Sequence, residues 1–308
     1  MTILKEFDMH KVNKSVVITG ASSGIGQASV SQMSRAGWQV FATVRKPQDG
    51  ERLKAQGLPG VTPVLMDLED RSSIQAAAAQ VRSQLHSGLD GLVNVAGIGL
   101  VRPLEYASGQ DIQKIFEINV FGQLAVTQAI LPALRRAQGR IVNVTSVGAH
   151  IAIPFGGPLN ASKSAFGMLS DTLRLELHPF GIRVITIEPG SIATPAVEKT
   201  LGNVEDVIQS LPELGRMQYA GMLRSLTSRG NAMKGSSPDV VAQGIHQALT
   251  SDRPHIRYRV GNHAMLLTLL PRILPDWLLD AFRLRVLGLP KKFASLPAES
   301  ARFTDRAA

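Results

Sequence analysis

The sequence of 308 residues contains no cysteine. This absence excludes a disulfide framework and any metal site with cysteine ligands, and no metal site of another kind is predicted. No run reaches about 18 uninterrupted apolar residues, so a membrane-spanning helix is not expected. Residues 1–14 lack the apolar core of a signal peptide, so we expect the protein in the cytoplasm.

The positive charge of the chain is concentrated near its end. The formal net charge is +9, and residues 251–308 contribute ten Lys and Arg against five Asp and Glu, a net of +5. A basic tail fits an anionic membrane surface, nucleic acid or plain solubility. No nucleic-acid-binding motif is present, so no nucleic-acid partner is expected. The length and the 44% of hydrophobic residues allow one large α/β domain or two small ones.

Residues 16–42 organise the rest of the chain. A short apolar strand at residues 16–18 is followed by a glycine-rich turn at residues 19–26, a helix to residue 35 and a second strand at residues 38–42. Glycine lets the backbone approach a ligand closely and adopt positive φ. The free N–H groups and the dipole at the start of the helix attract an anion. This order of elements therefore predicts a diphosphate-binding site rather than an ordinary turn.

Strands and helices continue to alternate after this unit. The alternation predicts a doubly wound parallel sheet, a Rossmann-type α/β fold, in one domain spanning residues 1–308. Ligands on such sheets bind at the carboxyl ends of the strands. Further strands are predicted at residues 61–66, 91–95, 140–145, 182–187 and 255–260, and the main helices at residues 111–137, 158–178 and 238–250.

Two segments lie outside the regular alternation. Residues 194–235 mix glycine, methionine and polar residues, and we interpret them as a helical lid over the substrate. Residues 261–308 form a leucine-rich, basic extension that Pro271 and Pro275 interrupt. Two interpretations of this extension stay open: a helical cap or dimer contact, which the prolines favour, and an amphipathic segment in a membrane interface.

The glycine spacing T-G-x-x-x-G-x-G resembles that of the short-chain dehydrogenase/reductase family, and other motifs agree with it between about residues 15 and 194. The segment Ala42-Thr43-Val44-Arg45 and the tail look most like the hydroxysteroid and retinol dehydrogenase branch. In the second glycine motif, Asn94-Val95-Ala96-Gly97, Val95 replaces the usual second Asn. The resemblance implies cofactor contacts at Gly20, Ser22, Ser23, Gly24, Ile25, Gly26, Asp67, Leu68, Asn94, Ala96, Gly97, Lys163, Pro189, Gly190, Ile192 and Thr194.

The end of the second strand indicates which cofactor binds. A carboxylate there would bind the ribose 2′-hydroxyl of NAD, but the sequence is Thr43-Val44-Arg45-Lys46. The Arg45 guanidinium can form a forked pair of hydrogen bonds with a 2′-phosphate. The sequence therefore predicts NADP(H) as the cofactor.

The resemblance implies catalytic roles for Asn119, for Ser146 and for Lys163, but one position departs from the family pattern. The family motif is Tyr-x-x-x-Lys, and Leu159 stands where the tyrosine would be. In the family the phenol protonates the alkoxide that hydride transfer produces, and the neighbouring lysine lowers the pKa of the phenol. Leucine has no proton to donate. We therefore expect an impaired reductase, because loss of a general acid costs about 10²–10⁴-fold in rate.

Three explanations of Leu159 stay open. It can be a single replacement in an ordinary reductase, a feature of a nucleotide-binding protein with little redox turnover, or an adaptation to chemistry without net redox change. His150, Ser162 and Ser164 lie close enough in sequence to be replacement acids, although a structural role is the preferred interpretation for each. The three tyrosines, Tyr106, Tyr219 and Tyr258, are far away in sequence.

Taken together, these motifs predict an NADP(H)-dependent oxidoreductase that interconverts an alcohol and a ketone or aldehyde. The branch resemblance implies a small apolar substrate of steroid, retinoid or fatty type. Family resemblance also implies a homodimer or homotetramer, assembled through the helices that follow the fourth and fifth strands. The alternative is a nucleotide-binding pseudoenzyme or a non-redox catalyst on the same fold.

Overall fold

A computed structural model describes residues 14–194, 203–232 and 235–289. Parts of the predicted lid (residues 195–202 and 233–234) and of the predicted extension (residues 290–308) lie outside the described residues. Seven parallel strands form one sheet in the order β3-β2-β1-β4-β5-β6-β7. The strands are β1 (Ser15–Ile18), β2 (Gln39–Val44), β3 (Val61–Leu65), β4 (Gly91–Asn94), β5 (Arg140–Val144), β6 (Arg183–Pro189) and β7 (Arg257–Val260).

Helices cover both faces of this sheet, so the predicted doubly wound fold is confirmed. The strand order reverses between β1 and β4, which makes their carboxyl ends the expected ligand-binding edge. The described helices are α1 (Gly24–Arg35), α2 (Pro47–Ala55), α3 (Arg71–Ser83), α4 (Gly109–Phe116), α5 (Gln123–Ala137), α6 (Gly157–Leu177), α7 (Val204–Gln209), α8 (Glu213–Ala232), α9 (Pro238–Thr250), α10 (Ala264–Ile273) and α11 (Asp276–Leu287).

The core consists of two apolar layers, one on each face of the sheet. Alternate residues of a strand point to opposite faces. In β1, Val17 packs in one layer, whereas Val16 and Ile18 pack in the other. All three side chains are buried. Burial on both faces explains why this strand is apolar at successive positions instead of alternating with polar residues.

A third, smaller apolar cluster lies under the lid segment. It joins Val101 to residues of α7 and α8, among them Ile208 and Leu223, and the partly buried ring of Phe155 packs against it. The described lid residues are therefore two helices with a core of their own. Their function as a substrate lid stays a prediction.

The helix predicted at residues 111–137 is interrupted by a π-helical turn at Glu117–Gly122 between α4 and α5. By length and composition alone, the stretch Gly109–Ala137 is the one helix among the described residues that could cross a membrane, and 61% of its apolar window is buried in the protein. A core helix passes the same test, so this finding is weak evidence for a span.

The tail after β7 forms two helices, α10 and α11, of ten and twelve residues. Pro275 is the N-cap residue of α11, and Leu274 before it has an extended backbone (ψ 141°). Proline disfavours the helical conformation of the residue that precedes it. The expected break of the tail by its prolines is therefore present at Pro275, whereas Pro271 lies within α10.

Candidate functional site

A cavity of about 670 Å³ lies at the carboxyl ends of β1, β2, β3 and β4. This is the edge at which a doubly wound sheet binds nucleotides. The cavity is also lined by Lys46, which follows Arg45, and by Asp49 and Arg52, which were not predicted from the sequence. The predicted cofactor residues that line it are Gly20, Ser22, Ser23, Gly24, Ile25, Gly26, Arg45, Asp67, Leu68, Ala96, Gly97 and Thr194.

The glycine turn has a backbone that only glycine suits. Gly20 and Gly24 have φ of +66° and +54°, in the left-handed region. At Gly26 the φ is ordinary, but an added Cβ would lie 2.1 Å from the carbonyl oxygen of Gly20. The three glycines of the motif therefore meet two separate physical requirements, backbone conformation and close approach.

The residues of the first turn of α1 line the cavity. The N-cap residue Ser23 is extended, with φ −163°, and its side chain makes no capping hydrogen bond. Uncapped first-turn N–H groups are donors for an anion. The cavity lining of Ser22, Ser23 and Gly24 therefore fits the diphosphate of a dinucleotide.

Thr19 holds the glycine turn against the loop that follows β4. Its Oγ1 accepts hydrogen bonds from the amides of Val95 (2.9 Å) and Ala96 (3.1 Å) and donates one to Oε1 of Gln123 (3.3 Å). Thr19 is the first residue of the predicted glycine motif, but the sequence indicated neither these hydrogen bonds nor a role for Gln123. Gln123 could not be recognised, because it lies 104 residues from Thr19 along the chain.

Two predicted cofactor elements lie at the far end of the cavity. Arg45 and Lys46 are exposed at the end of β2. Asp67 follows β3, and its Oδ1 accepts a hydrogen bond from the amide of Glu69 at 3.0 Å. Arg52 of α2 is a further cation on the lining and forms an ion pair with Asp49. Three cations therefore line the cavity beside the end of β2.

Asn94 does not line the cavity, although the resemblance predicted a cofactor contact there. Its side chain is fully buried, and its Nδ2 donates to Oγ1 of Thr127 (3.0 Å) and to Oδ1 of Asn143 (2.9 Å). The residue therefore ties β4 to β5 and α5. Three more predicted contacts, Pro189, Gly190 and Ile192, lie at the end of β6 and beyond it, and they are also absent from the lining.

The side chain of Asn119 lies directly beneath Gly97. An added Cβ on Gly97 would be 3.1 Å from Oδ1 of Asn119 and 3.4 Å from Nζ of Lys163. Oδ1 accepts from the amide of Ile98 (2.8 Å), and Nδ2 donates to the Ile98 carbonyl (2.8 Å) and to Oγ of Ser162 (2.9 Å). The structure thus brings Asn119 and Lys163 together under a residue that lines the cavity.

Ser146 begins a tight turn that packs on the start of α6. Its Oγ accepts from the amide of Gly148 at 3.0 Å. Ser164 of α6 donates to the carbonyl of Ala149 at 2.7 Å, in the same turn. This contact places the predicted substrate-orienting serine beside the helix that contains Leu159 and Lys163, which share one face because they are four residues apart.

Lys163 is buried, and its Nζ donates to the carbonyl of Val144 at 3.1 Å. Burial lowers the pKa of Lys163 from 10.5 to about 8, since a charged ammonium is poorly solvated there. Leu159, one turn earlier, contributes no hydrogen-bonding group to this lysine.

The pKa of Lys163 predicts a pH-dependent stability. The folded pKa lies below the unfolded one, so the unfolded chain binds more protons between about pH 8 and 10.5, and stability rises with pH across that window. Lys163→Met removes this titration. Urea unfolding of both proteins without nucleotide is expected to show the difference in unfolding free energy changing by about 2–3 kcal/mol, in favour of the parent as pH rises. Parallel pH profiles would contradict the buried, destabilised ammonium.

The three suggested replacement acids each have a structural partner. Nε2 of His150 lies 2.8 Å from Oε1 of Glu188, Ser162 donates to the Leu159 carbonyl at 2.7 Å, and Ser164 bonds the turn after Ser146 as described above. These contacts agree with the structural interpretation of all three residues.

The tyrosines belong to other parts of the molecule. The rings of Tyr106 and Tyr219 pack edge to face at 6.0 Å in the cluster under the lid. Tyr219 donates to Oε2 of Glu105 at 2.7 Å, and this hydrogen bond raises the pKa of Tyr219 to about 12. Tyr258 is in β7, and its Oη accepts from the amide of His255 at 3.1 Å. These contacts give the three phenols packing and structural roles.

A buried ionic network packs against the turn after Ser146, and it was not predicted from the sequence. Glu188, at the end of β6, is fully buried. Its carboxylate contacts His150, Arg257 (2.8 Å) and Arg259 (3.3 Å). Arg257 also forms an ion pair with Asp171 of α6. The network connects α6, β6, β7 and the turn after Ser146, and the two arginines compensate the charge of the buried Glu188 carboxylate.

The sheet topology, the glycine turn and the cavity are those of a dinucleotide-binding protein. The sequence profile of the short chain dehydrogenase family matches residues 14–204. The chain belongs to that family, whose members are oxidoreductases acting on alcohol and carbonyl groups with nicotinamide cofactors.

Curated proteins and solved structures agree with this assignment. Human retinol dehydrogenase 5 is 35% identical over 289 residues, covering 90% of each chain. The uncharacterized oxidoreductase YbbO of Escherichia coli K12 is 36% identical over 270 residues, covering 87% of this chain and 93% of that protein. A short-chain dehydrogenase from Streptomyces avermitilis has a similar structure, with TM-score 0.67, 26% identity and coverage of 90% of this chain and 96% of that one.

Proposed function

We propose that the chain is an NADP(H)-dependent oxidoreductase that interconverts an alcohol and a ketone or aldehyde on an apolar substrate. The observation that supports the choice of cofactor is the pair of exposed cations, Arg45 and Lys46, on the lining of the 670 Å³ cavity. A nicotinamide cofactor, when bound, supplies or accepts the hydride. The residues of this chain bind it, orient it and hold the reacting carbonyl.

The proposed roles follow from position. The glycine turn and the start of α1 bind the diphosphate, Asp67 and Leu68 contact the adenine, and Arg45 binds the 2′-phosphate. In the same proposal, residues 189–194 position the nicotinamide end, Ser146 polarises the substrate carbonyl, and Lys163 binds the ribose. Asn119 holds Ile98 and Ser162 in place through the hydrogen bonds described above.

Cofactor choice is tested by Arg45→Ala. Loss of a charge-assisted hydrogen bond costs about 1.5–3 kcal/mol, so NADPH affinity is expected to fall about 10- to 100-fold while NADH affinity stays unchanged. The measurement is a fluorescence titration with each nucleotide. Lys54→Ala removes an equal charge from α2, outside the cavity, and serves as the control. An equal loss for both nucleotides, or none, would count against a 2′-phosphate contact at Arg45.

The proposed substrate class rests on a second, apolar cavity. It has a volume of about 360 Å³ and lies between the loop before α6 and helix α11, with Leu104, Ile153, Phe155 and Leu284 among its lining residues. Phe155 has a left-handed backbone, with φ +66°, and packs edge to face against Tyr219 of the lid. Retinol dehydrogenase 5 and rat 17-beta-hydroxysteroid dehydrogenase type 6, at 35% and 34% identity, bear names that indicate apolar alcohols.

A second candidate function is nucleotide binding with little redox turnover. Leu159 favours it, because no phenol stands one turn before Lys163. The hydroxyls of Ser162 and Ser164 already donate to backbone carbonyls. Both candidates require NADP(H) to bind, so turnover and not binding distinguishes them.

The proposed assembly is a homodimer or homotetramer formed through the helices after β4 and β5. Support comes from large apolar side chains exposed on these segments: Phe121 between α4 and α5, and Met168 and Leu175 on α6. Large exposed apolar side chains of this kind are typical of protein interfaces. We propose that this assembly is located in the cytoplasm, either free or in contact with a membrane through its C-terminal tail.

A further inference from the structure

The amine of Lys163 has few partners for a buried cationic group. Lys163 keeps 9% of its surface exposed, and its Nζ makes one described hydrogen bond, to the carbonyl of Val144 at 3.1 Å. An ammonium has three donors, and a buried charge is costly unless acceptors or an opposite charge compensate it. A neutral amine can donate the same bond to Val144 and keep its lone pair free. The contacts of Lys163 therefore suit a neutral amine better than an ammonium.

The neighbouring side chains do not supply further partners. Leu159, four residues earlier on the same face of α6, has no polar side-chain atom. The amide of Asn119 is bonded to the backbone of Ile98 and to Oγ of Ser162. Burial lowers the pKa of Lys163 to about 8, and no neighbouring charge in the described part of the chain contributes to this change. The amine is therefore desolvated and has no ionic partner there.

The amine lies next to the floor of the nucleotide cavity. Gly97 lines the 670 Å³ cavity, and a Cβ added to it would lie 3.4 Å from Nζ of Lys163. Glycine has no side chain that could shield the amine from a ligand in the cavity. The residues around Gly97 on the lining are apolar, namely Val95, Ala96 and Ile98. An apolar molecule that enters beside Gly97 therefore comes close to the nitrogen.

We propose that Lys163 forms an imine with an apolar aldehyde when no nucleotide is bound. A desolvated lysine is an activated nucleophile toward carbonyl groups. The neutral nitrogen attacks the carbonyl carbon, so that a C–N bond forms and the carbonyl oxygen becomes a hydroxyl group. This hydroxyl group then leaves as water, and a C=N double bond remains. Both hydrogens of the amine end in the water, and nothing is oxidised or reduced.

This inference goes beyond the proposed oxidoreductase activity, in which Lys163 binds the ribose of the nucleotide. An imine occupies the nitrogen, so the imine and a bound nucleotide are expected to exclude each other. Leu159 suits imine formation because an apolar neighbour favours the neutral amine. The proposal therefore gives a concrete form to the third explanation of Leu159, chemistry without net redox change.

The test is reductive trapping of the full chain with decanal and sodium cyanoborohydride at pH 7, followed by peptide mapping with mass spectrometry. Cyanoborohydride reduces an imine to a stable secondary amine. At this pH an amine with a pKa of about 8 is neutral for about a tenth of the time, against about 0.04% for an ordinary lysine. We expect at least ten times more adduct on Lys163 than on Lys54 or Lys114, which are exposed.

The variants separate this nitrogen from other amines. Lys163→Arg keeps a positive charge but removes the nucleophile, so the adduct mapped to this position should disappear. Lys163→Met gives the same test if arginine does not fit the buried site. The matched control Lys114→Arg changes an exposed lysine of α4, outside the cavity, and should keep the adduct on Lys163. Decanol replaces decanal in the control without a carbonyl group, and it should leave no adduct.

Urea unfolding midpoints at pH 7 show whether the parent and each variant are folded during labelling. Saturating NADP⁺ is expected to suppress the adduct on Lys163. The proposal is overturned if Lys163 is trapped no more than Lys54 and Lys114, even where NADP⁺ binds normally. An adduct on Lys163 that NADP⁺ does not suppress would support the imine and contradict only the proposed ribose contact, so the two proposals fail separately.

Discussion

Leu159→Tyr is expected to raise the turnover of NADPH oxidation with apolar ketones and aldehydes by about 10²–10⁴-fold over the parent. The reason is proton supply. Hydride addition to a carbonyl leaves an alkoxide oxygen, and the parent has no side chain at position 159 that can protonate it. A phenol at this position would lie one helical turn before Lys163, on the same face of α6.

The surroundings of Leu159 support this expectation. Lys163 is a buried amine whose pKa is about 8, and its ammonium would lower the pKa of a neighbouring phenol. The turn of Ser146 already packs against α6. A single substitution would therefore supply a general acid at position 159, next to Lys163 and Ser146.

The matched control is Leu159→Phe, which adds the ring without the hydroxyl and is expected to give no gain in turnover. A phenylalanine variant as fast as the tyrosine variant would show that packing, and not the proton, limits the parent. A parent that already turns over well, with no gain from tyrosine, would mean that another group donates the proton. If both are inert while NADPH binds, the second candidate function is favoured.

Gly26→Ala is expected to reduce affinity for NADPH and NADH alike by at least about 100-fold. Its Cβ would lie 2.1 Å from the Gly20 carbonyl oxygen, a distance that no relaxation of a side chain relieves because the clashing atom is backbone. The turn must then move away from the start of α1. Two charge-assisted hydrogen bonds to the diphosphate, each worth about 1.5–3 kcal/mol, would be lost with that movement.

Gly221→Ala is the control for this prediction, because an added Cβ at Gly221 in α8 meets no atom within 4 Å. It should leave nucleotide affinity unchanged. Equilibrium dialysis measures binding, and urea unfolding without nucleotide separates loss of the site from loss of the fold. Nucleotide affinity retained by Gly26→Ala would show that the turn tolerates the displacement and that the diphosphate contacts lie elsewhere.

Local sequence patterns predicted much of the molecule correctly. The strand, glycine turn and helix at residues 16–35 could be recognised because their determinants are neighbours in the chain. The observed strands β4 to β6 overlap the predicted ones closely. The π-helical turn around Asn119 was not foreseen, because its composition does not differ from that of an α-helix.

Some site residues could not be interpreted without the fold. Asn94 was predicted to contact the cofactor, but its Nδ2 donates to Thr127 and Asn143, which lie 33 and 49 residues away. Glu188 shows no motif of its own, and its partners on β7 are about 70 residues distant. Pairing across such separations depends on strand order, which no local pattern specifies.

The sequence by itself determined the doubly wound class and the strand, glycine turn and helix at residues 16–35, and it predicts that Leu159 occupies the position of the family tyrosine, since each depends on residue identities at short spacing. Tertiary structure alone decided which predicted residues line one cavity and how Lys163 becomes a buried amine. The physical reason is that burial and desolvation depend on everything packed around a group, including elements far along the chain.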